Sequence, residues 1–212
     1  MEKIKIYNEK VWGFRGALRG MRNPMMSHSR ADSSFEENGE VIIGENDLFL
    51  CKRLIRSGSE HAKFLRFIHV QAEFKFPRYF WSECDTYKFF EKNSESTMHK
   101  LLNNPYDINL DQFVFDDEDI DLITSVVSRL NEVKKAFEST TNQKEKDKLL
   151  ARAKRILPEG FIQVRTIDTN YQELWNMYKQ RVIVSHRLKE SWVDTFGKWC
   201  ESLPYFKEFF LD

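Results

Sequence analysis

The sequence predicts an α/β (α+β) fold in which a small mixed sheet packs with several long helices. Residues 64–76 alternate between apolar and polar side chains, which is typical of a strand with one buried face. Residues 116–140 and 144–157 place apolar side chains three and four positions apart, as helices with one buried face do. We find no internal repeat and no linker, so we expect a single domain over residues 1–212.

The composition is that of a folded chain without net charge. Hydrophobic residues make up 41% of its 212 residues and charged residues 31%, which excludes a disordered class. Lys and Arg together number 33, as do Asp and Glu, so the charge gives no support for attraction to nucleic acid or membrane. Apolar runs are too short to span a bilayer, and the N-terminus lacks the apolar core of a signal peptide.

The cysteines indicate a reducing compartment, and we therefore expect a cytoplasmic protein. Cys51, Cys84 and Cys200 are far apart and odd in number, which argues against a disulfide framework. No CxxC or HExxH motif occurs, so we predict no metal site.

The N-terminal segment predicts a short strand and a long loop. Residues 3–7 alternate as a strand does, whereas residues 11–18 support no assignment. Residues 19–40 are polar and irregular, with turn signals at Asn23-Pro24 and Asn38-Gly39. Loops of this length are often functional or mobile.

A helix is predicted next, over residues 45–57. Either Asn46 or Asp47 is suited to cap it, and Gly58 is suited to end it. Its apolar side chains form one stripe, which consists of Leu50, Cys51, Leu54 and Ile55.

The stretch from residue 59 to residue 100 is the densest in aromatic, histidine and small polar side chains. Its strand is followed by Pro77, whose fixed φ suits the first turn of a short helix. Residues 91–99 are then polar and rich in hydroxyls and amides. A polar loop after a buried helix is a common place for a ligand.

The second half of the chain predicts four helices and one strand. An acidic start favours the first helix, and Pro158 ends the second. The helices cover residues 116–140, 144–157, 170–181 and 188–203, and the strand covers residues 161–168.

The carboxy-terminal third contains several different short motifs that follow one another. Leu157-Pro158 precedes the strand, and Asn170, Asn176 and Arg181 then share one predicted helix. Ser185-His186 follows that helix, and the chain closes with Leu203-Pro204-Tyr-Phe-x-x-Phe.

Upstream, Glu60-His61 precedes the central strand, and Asn93-x-x-Ser96 follows the short helix. In order and spacing, residues 45–212 resemble the flavin-dependent thymidylate synthases, although each motif alone is weak. The resemblance implies reductive methylation of dUMP, with methylenetetrahydrofolate supplying the carbon and FAD, reduced by NADPH, supplying the hydride. It also implies a homotetramer whose active sites draw on several subunits.

The resemblance also implies roles for individual residues. Arg181 and Ser96 would be catalytic. His61, Asn170, Asn176 and Arg78 would bind the cofactor. Asn93, Ser96, Lys154 and Arg181 would bind the nucleotide, with Lys154 acting as a point charge for the phosphate where the family has an Arg.

The chain departs from the family at the Arg-His-Arg motif. In register from Arg78, that motif falls on Ser82-Glu83-Cys84, and the stretch from Cys84 to Ser96 is about four residues longer than the family spacing. Met98 stands where the family has an Arg. The alternative function is therefore a catalytically altered or inactive homologue that serves as a nucleotide-binding or protein-interaction scaffold.

Plain structural roles are the alternative for the individual residues. His61 is suited to hydrogen-bond nearby backbone, and Asn170 is suited to cap its own helix. Arg181 is suited to pair with acids of a neighbouring helix. The remaining alternatives are that Asn93 and Ser96 are ordinary turn residues and that Cys84 is a buried structural thiol.

Overall fold

The computed structural model of the chain describes residues 3–36 and 40–211, so the Asn38-Gly39 turn signal lies outside the described residues. The first half contains β1 (Lys5–Trp12), α1 (Phe14–Arg22), β2 (Ser34–Phe35), β3 (Val41–Ile42), α2 (Glu45–Arg56), β4 (His69–Pro77), α3 (Arg78–Cys84), β5 (Glu91–Ser94) and α4 (Thr97–Lys100). The second half contains α5 (Ile120–Ser139), α6 (Gln143–Ile156), β6 (Ile162–Asn170), α7 (Tyr171–Tyr178), α8 (Lys198–Ser202) and α9 (Phe206–Phe210). Two π-helical segments, Lys179–Ile183 and Glu190–Gly197, lie between α7 and α8.

A four-stranded sheet in the order β1-β4-β6-β5 forms the β part of the fold. β2 and β3 pair separately and antiparallel, with Ser34 opposite Ile42. Long helices accompany this small sheet, so the predicted fold class is confirmed.

The chain divides into two compact units. Unit 1 consists of Met1–Lys5, Lys75–Thr86 and Asn93–Arg165, and unit 2 consists of Ile6–Phe74, Tyr87–Lys92 and Thr166–Asp212. β4 and β6 supply residues to both units, and the expectation of one domain over residues 1–212 stays a prediction.

Aromatic packing and the long helices build the core of unit 1. Phe76 stacks on Phe80 with ring centroids 3.9 Å apart, and Trp81 meets both rings edge-on. The indole N–H of Trp81 donates to the carbonyl of Phe76 at 3.1 Å, which satisfies the one polar atom of that side chain. The apolar stripe of α5 is buried through Ile123, Leu130, Val133 and Phe137, whereas Ile120, which the pattern predicted to be buried with them, is exposed.

Tyr171 lies at the centre of the core of unit 2. Its ring is fully buried and meets the edges of Phe14 and Phe206. Its hydroxyl donates to the carbonyl of Pro204 at 2.6 Å, and burial raises the pKa of that hydroxyl. Its backbone N–H donates to the carbonyl of Ile68 at 3.0 Å, so the first residue of α7 is held from several sides.

A buried ion pair organises the segment that was expected to be a long irregular loop. α1 extends to Arg22, and short 3₁₀ turns follow at Asn23–Met25 and His28–Arg30, so residues 19–40 are more ordered than predicted. Arg22 pairs with Asp47 at 2.6 Å, with both side chains almost fully buried. The guanidinium also donates to the carbonyls of residues 27 and 30, at 3.2 and 3.1 Å.

The start of α2 is capped from outside the helix. Neither Asn46 nor Asp47 caps it, because Asp32 accepts hydrogen bonds from both of their backbone N–H groups, at 2.8 and 3.0 Å. Burial raises the pKa of Asp32, but these backbone hydrogen bonds and the charge of Arg22 bring it below the ordinary value. A local sequence rule cannot find this cap, since Asp32 lies 14 residues from Asn46.

Three other local predictions need correction. The predicted strand over residues 64–76 is shorter, because Lys63–Phe67 forms a 3₁₀ turn in which neighbouring Phe64 and Leu65 are both buried. The predicted polar loop over residues 91–99 contains β5 and the start of α4. The last two predicted helices are interrupted by the π-helical segments.

We expect Asp47→Asn to destabilise the fold by about 3–5 kcal/mol, because it leaves the buried guanidinium of Arg22 without its counter-charge. Urea unfolding followed by circular dichroism measures this change. Asp194→Asn is the control, since Asp194 pairs with Lys198 at 3.4 Å on the surface, where such pairs contribute about 1 kcal/mol at most. Equal losses in the two variants would contradict the structural role of the buried pair.

Candidate functional site

The polar end of β5 and α4 brings together residues of unit 1 that are far apart in sequence. Ser96 caps α4, and its hydroxyl accepts from the backbone N–H of His99 at 3.3 Å. Lys154 of α6 donates from Nζ to the hydroxyl of Thr97. Two predicted nucleotide-binding residues, Ser96 and Lys154, are therefore next to one another in space.

A cavity of about 680 Å³ opens beside these residues, which is a typical volume for a small-molecule site. Its polar wall includes hydroxyl and amide side chains, a cation and a carboxylate: Ser96, Thr97, Gln163, Lys100 and Glu95. Leu101, Ile108 and Phe161 are among its apolar walls. A polar end with an apolar body suits a ligand that has a charged group and a ring.

Cations gather close to this polar end. Arg78 pairs with Glu159 at 3.2 Å and donates to the carbonyl of Leu157 at 3.2 Å. Burial lowers the pKa of Lys154, and the charge of Arg78 lowers it further. The two cations therefore repel one another, and Glu159 offsets part of the charge of Arg78.

Arg165 is a cation that the sequence analysis missed. It lies over the ring of Trp81 at 4.4 Å, approaches Asp85 at 3.5 Å and donates to Gln163 Oε1 at 3.3 Å. Burial lowers its pKa, and its Nε is buried without a hydrogen-bond partner among the described residues. An arginine inside a predicted strand was the signal available in the sequence.

Asn93 and the positions that correspond to the family's arginine motifs have the following places in the structure. Asn93 lies exposed on β5. Ser82-Glu83-Cys84 lies on α3, and Cys84 is fully buried, as expected for a structural thiol. Met98 is exposed on α4.

In unit 2, aromatic rings and a hydroxyl surround Arg181. Its guanidinium donates from Nε to the hydroxyl of Tyr87 at 3.0 Å and lies 5.0 Å from the ring centroid of Trp192. Nη1 lies 3.1 Å from Nε2 of His186. The hydroxyl of Tyr87 in turn donates to Gln180 Oε1 at 3.0 Å. Arg181 therefore packs on aromatic rings, and sequence reasoning missed Tyr87 and Trp192.

Asn170, the last residue of β6, is the N-cap of α7, and Asn176 lies within α7, where it forms a partly buried polar stripe with Gln172. Asn170 caps the helix by accepting from the backbone N–H of Glu173 at 3.0 Å, which is the structural alternative that the sequence offered. Asn176 makes long contacts of 3.4 Å with Gln172 and Glu173. His61 is exposed in the turn before the Lys63–Phe67 segment, so it lies apart from any buried polar cluster.

The side-chain oxygen of Gln172 is buried and accepts no hydrogen bond from the described residues. Its side chain is 8% exposed, and its Oε1 has no hydrogen-bond partner among the described residues. An unpaired buried polar atom costs about 1–3 kcal/mol, which a ligand N–H would relieve. Asn176 lies one helical turn away and accepts from Gln172 Nε2 at 3.4 Å.

No group of three or more His, Cys, Asp or Glu side chains within the described ranges is arranged to hold a metal ion. No helix in residues 3–36 or 40–211 combines the length and the apolar character needed to cross a membrane.

The fold is similar to that of solved structures, although the sequence has no match. No family model and no curated protein matches the sequence. A structure of thymidylate synthase X (ThyX) from Helicobacter pylori with FAD and dUMP has a TM-score of 0.70 and 15% identity, covering 98% of this chain and 97% of that one. A second structure of the flavin-dependent synthase from that organism, complexed with FAD and dUMP, has a TM-score of 0.68 and 17% identity, covering 97% of each chain. At such identities the likeness shows a shared fold.

We expect Tyr87→Phe to destabilise the protein by about 1 kcal/mol, because it removes the hydroxyl that joins Arg181 to Gln180. Chemical denaturation measures the loss. Tyr106→Phe is the control, since Tyr106 is 77% exposed. A Tyr87→Phe variant as stable as the control would show that the hydroxyl contributes nothing.

We expect Gln172→Met to leave the ligand-free protein as stable as the parent or more stable, because the buried Oε1 has no partner to lose. Thermal unfolding measures this effect. A strongly destabilised variant would mean that Oε1 is already satisfied.

Proposed function

We propose that this protein is a divergent flavin-dependent thymidylate synthase that binds dUMP in the cavity of unit 1 and holds FAD with the α7 stripe of unit 2. One observation carries the proposal. Ser96 and Thr97 line a cavity of suitable size, and Lys154 is bonded to the hydroxyl of Thr97 beside it, in a chain whose fold is that of proteins solved with FAD and dUMP.

The polar end of the cavity is suited to the nucleotide phosphate. Two hydroxyls and an ammonium group lie there within reach of one another, and Arg78 adds positive charge nearby. A phosphate dianion accepts from each of these donors and relieves the repulsion between Lys154 and Arg78. The apolar walls then receive the deoxyribose and the base.

The α7 stripe is suited to the flavin. Gln172 offers a buried acceptor, Asn176 can exchange its long contacts for a ligand, and Arg181 supplies a cation backed by aromatic rings. When bound, FAD supplies the hydride that it takes from NADPH, and methylenetetrahydrofolate supplies the carbon. The share of this chain is to bind, orient and provide positive charge for an electron-rich ring.

The contact between Tyr87 and Arg181 suggests a different register for the Arg-His-Arg motif. Placing the motif on Thr86-Tyr87-Lys88, four residues after Ser82-Glu83-Cys84, removes the excess length before Ser96. Tyr87 then stands at the centre of the motif and beside Arg181, with which it shares a hydrogen bond of 3.0 Å. In this register Lys88 retains one of the positive charges.

A second candidate function is a scaffold that binds the nucleotide without catalysis. It is favoured by the loss of the motif arginines and by the contacts of Arg181 with Tyr87 and His186 inside its own chain. Both candidates share the homotetramer that the family resemblance implies and the cytoplasmic location expected from the cysteines.

We expect Lys154→Met to weaken dUMP binding about 10- to 100-fold, because it removes a charge-assisted hydrogen bond to the phosphate. In the parent, affinity falls as the pH rises through the pKa of Lys154, which lies below the ordinary lysine value, whereas the variant lacks this alkaline dependence. Isothermal titration calorimetry from neutral to alkaline pH measures both effects.

Lys148→Met is the matched control, since Lys148 lies on the same helix and its side chain is 78% exposed. Equal dUMP affinity in the parent and in Lys154→Met would contradict the phosphate site.

Absorbance of the purified protein distinguishes the two candidate functions. A yellow protein that NADPH bleaches in the presence of dUMP supports the synthase. A colourless protein that binds dUMP but takes up no added FAD supports the scaffold. A protein that binds neither ligand contradicts both.

A further inference from the structure

We propose that Gln163 binds the phosphate in the cavity of unit 1 and that Arg165 is its positioning residue. The proposal rests on the proposed function, because it concerns the cavity that would hold dUMP. Neither Gln163 nor Arg165 belongs to the motifs described above.

The orientation of the Gln163 amide follows from its contact with Arg165. A guanidinium carries only donors, so the atom of Gln163 that lies 3.3 Å from it must be the carbonyl oxygen Oε1. The NH₂ group of the same amide is then directed away from Arg165. Gln163 is 8% exposed and lines the cavity, so this NH₂ group is the part of the side chain left for a ligand.

Backbone pairing places Gln163 beside the proposed phosphate group. The N–H of Glu95 donates to the carbonyl of Val164 at 3.1 Å, so Ser96 and Gln163 are each one residue away from a direct contact. Both line the same cavity. The cavity wall thus carries the NH₂ group of Gln163 and two hydroxyls, one of them bonded to Lys154, which suits a ligand end with several acceptor oxygens. The carboxylate residue Glu95 also lines this wall.

Arg165 acts through Gln163, because Arg165 is not among the residues that line the cavity. Its guanidinium is largely buried, and the ring of Trp81 and the carboxylate of Asp85 offset part of the cost of removing it from water. Its Nη2 contact holds the amide in one of two otherwise similar orientations. The reversed amide would point a carbonyl oxygen at the phosphate and repel it.

The test compares dUMP with deoxyuridine, which lacks the phosphate. We expect Gln163→Glu to weaken dUMP binding at least about 30-fold, because a carboxylate replaces a donor, and to change deoxyuridine binding less than about twofold. The variant should fold, since the new carboxylate faces Arg165.

Gln112→Glu is the matched control, because it adds the same charge to the same cavity wall. Gln112 Oε1 accepts from the backbone N–H of Asn109 at 3.0 Å, a role that glutamate keeps. We expect this control to weaken dUMP binding by about threefold or less, through distant repulsion alone.

The positioning role has its own readout, the ratio of dUMP affinity to deoxyuridine affinity. We expect Arg165→Met to lower this ratio about five- to tenfold, because the amide becomes free to reverse, and Arg165→Lys to recover most of it. A merely structural role would lower both affinities together and leave the ratio unchanged.

Calorimetric titration of the parent and the four variants with dUMP and with deoxyuridine measures these affinities and tests the proposal. A parent that binds no dUMP overturns the proposed function and this inference with it. A parent that binds dUMP, while Gln163→Glu keeps the parental ratio or matches Gln112→Glu, overturns only the inference.

Discussion

The burial of Tyr171 is the constraint on which the geometry of unit 2 depends. A buried tyrosine must place its ring among apolar groups and its hydroxyl on an acceptor. Phe14 and Phe206 supply the first, and the carbonyl of Pro204, 2.6 Å away, supplies the second. Because Tyr171 is the first residue of α7, fixing it fixes the direction of the helix. The polar stripe of Gln172 and Asn176 therefore takes its position from the core.

The buried polar groups of this protein differ in whether all their polar atoms have hydrogen-bond partners. The buried pair of Arg22 and Asp47 has partners on both sides, so nothing there calls for a ligand. Gln172 and Arg165 instead each keep a buried polar atom without a partner among the described residues. Ser191 Oγ and Trp199 Nε1 are buried in the same way. Such atoms cost stability, and those of Gln172 and Arg165 lie on the α7 stripe and beside the unit 1 cavity, where the proposed ligands would bind.

Periodic patterns predicted the long helices well and the short elements poorly. The second predicted helix, over residues 144–157, agrees with α6, Gln143–Ile156, to within one residue at each end, because its apolar spacing is a local property. Alternation misled at Lys63–Phe67, where Phe64 and Leu65 are both buried in a 3₁₀ turn. In a turn packed on both sides, neighbouring residues need not alternate between core and solvent.

The sequence by itself determined the fold class and a short set of candidate side chains, since helical periodicity and motif spacing are read within a few residues. Only the tertiary structure decided which of those side chains have partners. Lys154 meets a hydroxyl 57 residues away, and Arg181 meets the hydroxyl of Tyr87, 94 residues away. Contacts of this kind arise from the packing of whole elements, which leaves no local pattern in the chain. For the same reason the orientation of Gln163 by Arg165 became visible only in the folded protein.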